Sequence, residues 1–214
     1  MAQTTIFEVW RTKGIRRKLM GPVLKLKPEW FCLDGYFCIP DSNFFLCGFV
    51  MDHKPSATEV RMFTQPMFAN ELSMNLSSAD RLEGEHGFVN IKGVKPFIVA
   101  EKFIDKTSRY ISEVMRRDSL GYFVKRIEKD ALYRNSRIGY DYGLALVLME
   151  KYKAARNCLE EVAASEWERR VVPGEAESAS RLVSLLSSNP KDAFDLVQRY
   201  MEANKSNLTK YLKS

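Results

Sequence analysis

Between Arg137 and Ser165 the chain reads RIGYDYGLALVLMEKYKAARNCLEEVAAS, two apolar patterns of helix length parted only by the polar pair Glu150–Lys151. Tyr140, Gly143, Leu144, Val147 and Leu148 recur at three- and four-residue steps, which gather side chains on one helical face. After the break Tyr152, Ala155, Leu159 and Val162 repeat that spacing. So short a break between two such patterns predicts a tight helical hairpin. Gly143 and Ala155 are small enough to let the two backbones come close.

The same stretch resembles a tetratricopeptide-type repeat. Gly143, Leu146, Tyr152, Ala155, Leu159 and Val162 stand at spacings similar to that family's small and large consensus positions. The match covers one repeat. Glu150–Lys151 occupy the place where the family has Gly or Asn before the aromatic, and Ser165–Glu166–Trp167 the place of its Pro after the second helix. The resemblance implies a helical surface that binds a peptide or protein. An ordinary helical hairpin inside a globular core fits the same residues.

At 214 residues the chain is long enough to bury a core, as one large domain or two small ones. With 45% hydrophobic and 28% charged residues it falls among globular chains, not disordered ones. No run of ~18 apolar residues occurs, which excludes a membrane span, and no membrane is expected among its partners. The opening MAQTTIFEVWRTKGIRRK lacks the apolar core of a secretory signal, so the chain is expected to be cytoplasmic. Cys32, Cys38, Cys47 and Cys158 sit among aromatic residues and leucines, as reduced thiols do. Their spacing lacks the close pairs of a zinc site, and only His53 and His86 could add to them. Neither a metal nor another cofactor is expected.

Thr5–Met20 reads as a short helix, capped by Thr4 or Thr5, stopped by Gly21–Pro22, and buried through Ile6, Phe7 and Trp10. It includes Arg11, Lys13, Arg16, Arg17 and Lys18, the densest basic cluster in the chain. Such a cluster either contacts phosphates or forms a solvated face beside acids elsewhere. From Val23 to Val94 the period changes. Val23–Lys27 alternates, and Trp30–Ile39, Phe44–Met51 and Glu59–Phe63 read as strands. Asp34-Gly35 and Pro40-Asp41-Ser42-Asn43 supply the turns between them. Gln65–Leu82 mixes its spacings and fits either a short helix and a strand or a loop across the sheet. Glu83–Gly93, with three glycines, fits a loop or a hairpin.

Helical periodicity returns at Pro96, a residue suited to a first turn. Phe97, Ala100, Ile104, Ile111, Val114 and Met115 mark an inward face. Over Ser119–Tyr133 the inward residues are Leu120, Phe123, Val124, Ile127 and Leu132. Cations such as Arg116, Arg117, Lys125, Arg126 and Lys129 alternate there with Asp118, Glu128 and Asp130, which fits local ion pairs on a solvated face. Beyond the hairpin, Glu175–Leu186 and Lys191–Leu212 form two further helices, joined through an Asn189 cap and Pro190. The expected fold class is therefore α+β. A mainly β region with a basic N-terminal helix spans 1–95, and an α-helical region spans 96–214, with or without a shared core.

Three functions fit. The first is a non-enzymatic interaction protein, of the kind found among bacterial adaptors and immunity proteins, that binds another protein through its helical surface. Tyr140, Tyr152 and Arg156 are its candidate contacts. The second is a nucleic-acid-associated protein using Arg11, Lys13, Arg16, Arg17 and Lys18 with nearby aromatics, in keeping with a net charge of +6. The third is an enzyme with a dispersed site, for which Asp34, Asp41 and Asp52 lie near the predicted turns. No Gly-rich phosphate loop or nucleophile elbow occurs, so no catalytic residue is assigned. The first reading has the widest support in the residues.

Overall fold

A computed structural model describes residues 13–40, 42–53, 58–70, 79–84, 88–89, 91, 93–130 and 136–212. The fold is α+β, an antiparallel sheet followed by a helical region, and the chain divides into two compact units. One holds the strands together with the first three helices. The other holds the remaining helices and the segment Pro66–Ser73.

The first described helix, α1, spans Lys13–Leu26 and continues through Gly21 and Pro22, where the sequence places a stop. An interior proline costs a helix about 3 kcal/mol. Leu19 and Val23, one turn apart, are both buried, and each contributes roughly 1.5–3 kcal/mol. Their joint burial outweighs the proline. The alternating Val23–Lys27 is accordingly a helix end, closed by the Lys27 N–H donating to the Val23 carbonyl at 2.8 Å. The predicted start at Thr5 lies outside the described residues.

The sheet runs in the order β1-β2-β3-β4-β5, from β1 (Phe31–Leu33), β2 (Tyr36–Ile39), β3 (Phe45–His53), β4 (Thr58–Pro66) and β5 (Asp80–Arg81). A short β6 (Phe88–Val89) also pairs with β4. Asp34 (φ 48°) and Gly35 (φ 85°) close the β1–β2 hairpin, as Asp-Gly chemistry predicts. Every residue of β2 is buried. On one face Phe37 meets Phe103 with ring centroids 5.1 Å apart, and on the other Tyr36 meets Phe63 edge-on at 5.1 Å. Polar pairs tie the far strands. Arg61 reaches Asp52 at 3.0 Å and Glu59 at 3.2 Å, and Arg81 reaches Glu59 at 3.3 Å.

Helix α2 (Pro96–Ser108) starts at its proline as expected, and α3 (Ile111–Arg116) follows after a break. The inward face of α2 is Val99, Ala100, Phe103 and Thr107, not the row beginning at Phe97. Phe97 points out. Arg117, just beyond α3, pairs with Asp80 and with Glu113.

The helical unit consists of α4 (Leu120–Lys129), α5 (Ser136–Leu148), α6 (Tyr152–Ala164), α7 (Glu166–Val171), α8 (Pro173–Ser188) and α9 (Pro190–Leu212). Ser119 caps α4 by accepting from the Tyr122 N–H at 3.4 Å, and Asn189 caps α9 by accepting from the Lys191 N–H at 3.2 Å. Helix α6 packs against both α5 and α8. Segment 66–70 is tied to α9 by Asn204, whose buried amide donates to the Met67 and Ala69 carbonyls, each at 2.8 Å.

Candidate functional site

The α5–α6 hairpin closes through two local devices. Glu150 adopts φ 58° and ends α5. Its N–H donates to the Val147 carbonyl and the Lys151 N–H to the Leu146 carbonyl, both at 2.9 Å. This is the Schellman arrangement, in which a left-handed residue lets the last carbonyls find donors. Across the hairpin, Gly143 faces Leu159 so closely that an added Cβ would lie 2.7 Å from the Leu159 Cγ and Cδ2. Ala155, Leu159 and Val162 form the buried side of α6.

Tyr140 belongs to this core. It is 1% exposed, and its hydroxyl donates to Ser178 Oγ on α8 at 2.7 Å, while Tyr200 on α9 lies 3.4 Å from the same oxygen. Burial pushes the Tyr140 phenol well above its ordinary range, which the Ser178 bond only partly offsets. Tyr140 therefore joins three helices from within and offers nothing to a partner outside. Cys158 is likewise inward. Its thiol donates to the Gly139 carbonyl at 3.2 Å, and burial, aided by Glu161, pushes its pKa up to about 11.

Arg156 faces outward from α6, and Tyr152 stands at its first turn on the side of Ala155 and Leu159. Tyr152 is half-buried, and its phenol is raised by partial desolvation and then by the carboxylates of Glu150 and Asp195. The effect of Asp195 brings the start of α6 within electrostatic reach of α9. Arg156 is exposed and pairs one turn along with Glu160 at 3.4 Å, an arrangement worth ~0.3–0.5 kcal/mol that a partner carboxylate can easily replace. Along α9, Asp192, Asp195, Gln198, Arg199 and Glu202 line an open groove of ≈ 470 Å³. The steps of three and four between them put all five on one helical face.

The other candidate residues are placed as follows. Lys18 is exposed on α1. Lys13, Arg16 and Arg17 are on the same helix, with side chains outside the described residues, and Arg11 lies outside them altogether. Asp34 occupies the β1–β2 turn and Asp52 holds Arg61, so both have structural work. Asp41, His86 and the His53 side chain lie outside the described residues. Among the described residues, no three potential metal ligands come together, and no helix is long and apolar enough to cross a membrane.

Sequence reading did not single out Ser178, Asn204 or Asp195. Asn204 carried a signal, since it stands in the row Val197, Asn204, Leu208 whose other members are buried. The others did not, because their meeting with α5 and α6 depends on how the helices dock. No family model matches the chain, and no curated protein or solved structure does either.

Proposed function

We propose that this is a non-enzymatic protein-interaction protein, of adaptor or immunity type, whose helical unit binds a protein partner. The carrying observation is the open groove along α9, with Tyr152 of α6 within reach of its Asp195. Interaction surfaces favour rigid, partly buried aromatics beside polar groups that a partner can pair. Tyr152 and Arg156 supply these on α6, and Asp192, Asp195, Gln198, Arg199 and Glu202 on α9. The likeness of the α5–α6 hairpin to a tetratricopeptide unit supports the same use, since such hairpins present side chains on a firm helical frame. The tight Gly143–Leu159 approach is consistent with that frame.

A photo-crosslinking residue at Gln198, introduced into the full chain in its native host, tests the reading. The expected result is a reproducible protein adduct that weakens when Arg156→Glu or Glu202→Lys is added. An adduct indifferent to both reversals, or none beyond that from a crosslinker at Lys25, would overturn it.

A further inference from the structure

Strand β4 ends at Pro66, a residue with no N–H to carry a ladder further. The residues just beyond it are nevertheless buried, Met67 at 2%, Phe68 at 0% and Ala69 at 6% exposure. They belong to the helical unit, whereas β4 up to Gln65 and all of β5 belong to the sheet unit. The helical unit therefore receives this stretch as it would a short peptide, with the chain on either side committed elsewhere.

Buried carbonyls outside a ladder need donors from somewhere else. Those of Met67 and Ala69 find theirs in one side chain, the Asn204 carboxamide, itself 6% exposed and 2.8 Å from each. An amide nitrogen has two hydrogens, so this clamp spends both on main-chain oxygens and none on a side chain. Between the two clamped residues Phe68 meets Phe123 of α4 edge-on, with ring centroids 6.4 Å apart. Main-chain bonds joined to a place for one side chain are how peptide sites combine affinity with specificity. Asn204 stands in the buried row of α9 with Val197 and Leu208, apart from the residues that line the groove.

We propose that Asn204 and Phe123 form a peptide site of the helical unit, and that residues 67–70 are its ligand in cis. The class of peptide it takes is uncharged and apolar, with an aromatic residue between two residues whose carbonyls the carboxamide holds. A partner segment of that class enters as the chain's own segment leaves, so the cis ligand sets the affinity that a partner must match. An ordinary core behaves differently. Its pieces are lost together, whereas a ligand departs from a frame that stays folded. The site is independent of the α9 groove and of the function proposed for it.

Thiol labelling of the full chain, read by peptide mass mapping, separates the two. Adding Asn204→Ala should speed labelling of Ala69→Cys by on the order of tenfold or more, since two buried carbonyls lose their donor. Labelling of Ala155→Cys, in the buried side of α6, should not change. An equal rise at both positions, or none at Ala69→Cys, would overturn the proposal. Binding in trans is tested with a fluorescently labelled, end-capped Gln-Pro-Met-Phe-Ala-Asn peptide. It should bind Phe68→Ala at least about tenfold more tightly than the unaltered chain, whose own segment competes. The milder Phe68→Leu should fall between them, and adding Asn204→Ala to either variant should abolish binding. No binding to either variant, equal binding to all three chains, or binding indifferent to Asn204→Ala would likewise overturn it.

Discussion

In the sheet unit Gly48 and in the helical unit Gly143 each remove a side chain where two elements close, but what each one faces is different. Gly48 stands opposite Cys38 in the β2–β3 ladder, and an added Cβ would lie 2.0 Å from the Phe37 carbonyl oxygen and 3.0 Å from the Cys38 Cα. Gly143 faces the far end of the Leu159 side chain at 2.7 Å. Backbone held in a ladder has no alternative place to go, whereas a leucine has other rotamers. The sheet unit is therefore closed by a fixed obstacle and the helical unit by an adjustable one.

That difference is open to direct attack. Gly48→Ala should have the largest effect, about 3 kcal/mol or more of destabilisation by urea unfolding, because relief requires β2 and β3 to part. A loss under about 1 kcal/mol would mean that the ladder yields and the contrast is false. Gly143→Ala should cost less, about 1–2 kcal/mol, since Leu159 can shift at the expense of its packing. Shortening the obstacle sharpens the point. In a Leu159→Val background the alanine should be tolerated better, a favourable coupling of about 0.5–1 kcal/mol in a double-mutant cycle. Strictly additive losses would show that Leu159 is not what Gly143 makes room for.

The two glycines also mark where sequence reading succeeds and where it stops. Gly143 was legible because its partner lies in the next helix of a short hairpin, at a spacing that the helical period fixes. Gly48 gave no such sign, since its need arises from the residue opposite, and register is settled by pairing across the sheet. Local signals were reliable where backbone geometry alone decides, as at Asp34-Gly35, Pro96 and Asn189–Pro190. They failed at Gly21–Pro22, where the buried Leu19 and Val23 carry α1 onward. In α2 the apolar residues support two inward rows, and packing on Phe37 selected the one with Phe103, turning Phe97 out. Of the candidate contacts, Arg156 is exposed and Tyr152 is half-buried at the start of the row it shares with Ala155, Leu159 and Val162. Tyr140 went into the core, where α8 brings its hydroxyl a partner, Ser178, that no local pattern announces.

The smallest effect tests the hairpin at its turn. Glu150 holds φ 58°, a region that costs a residue with a Cβ roughly 1 kcal/mol and glycine almost nothing. Among the described residues no ion pair or side-chain hydrogen bond repays Glu150 there, and the turn's two hydrogen bonds are made by backbone N–H groups that glycine retains. Glu150→Gly should therefore stabilise the chain by about 0.5–1 kcal/mol, the reverse of what glycine does inside a helix. Removing this carboxylate should also let the Tyr152 phenol titrate at lower pH, since Glu150 helps to hold it up. Asp195 would remain as the charged influence on that ring. A stabilised variant whose Tyr152 titration then responds to Asp195→Asn would tie the turn, the aromatic and the α9 groove into one surface. A variant that is destabilised instead would show that the left-handed turn relies on the glutamate side chain and not on the backbone alone.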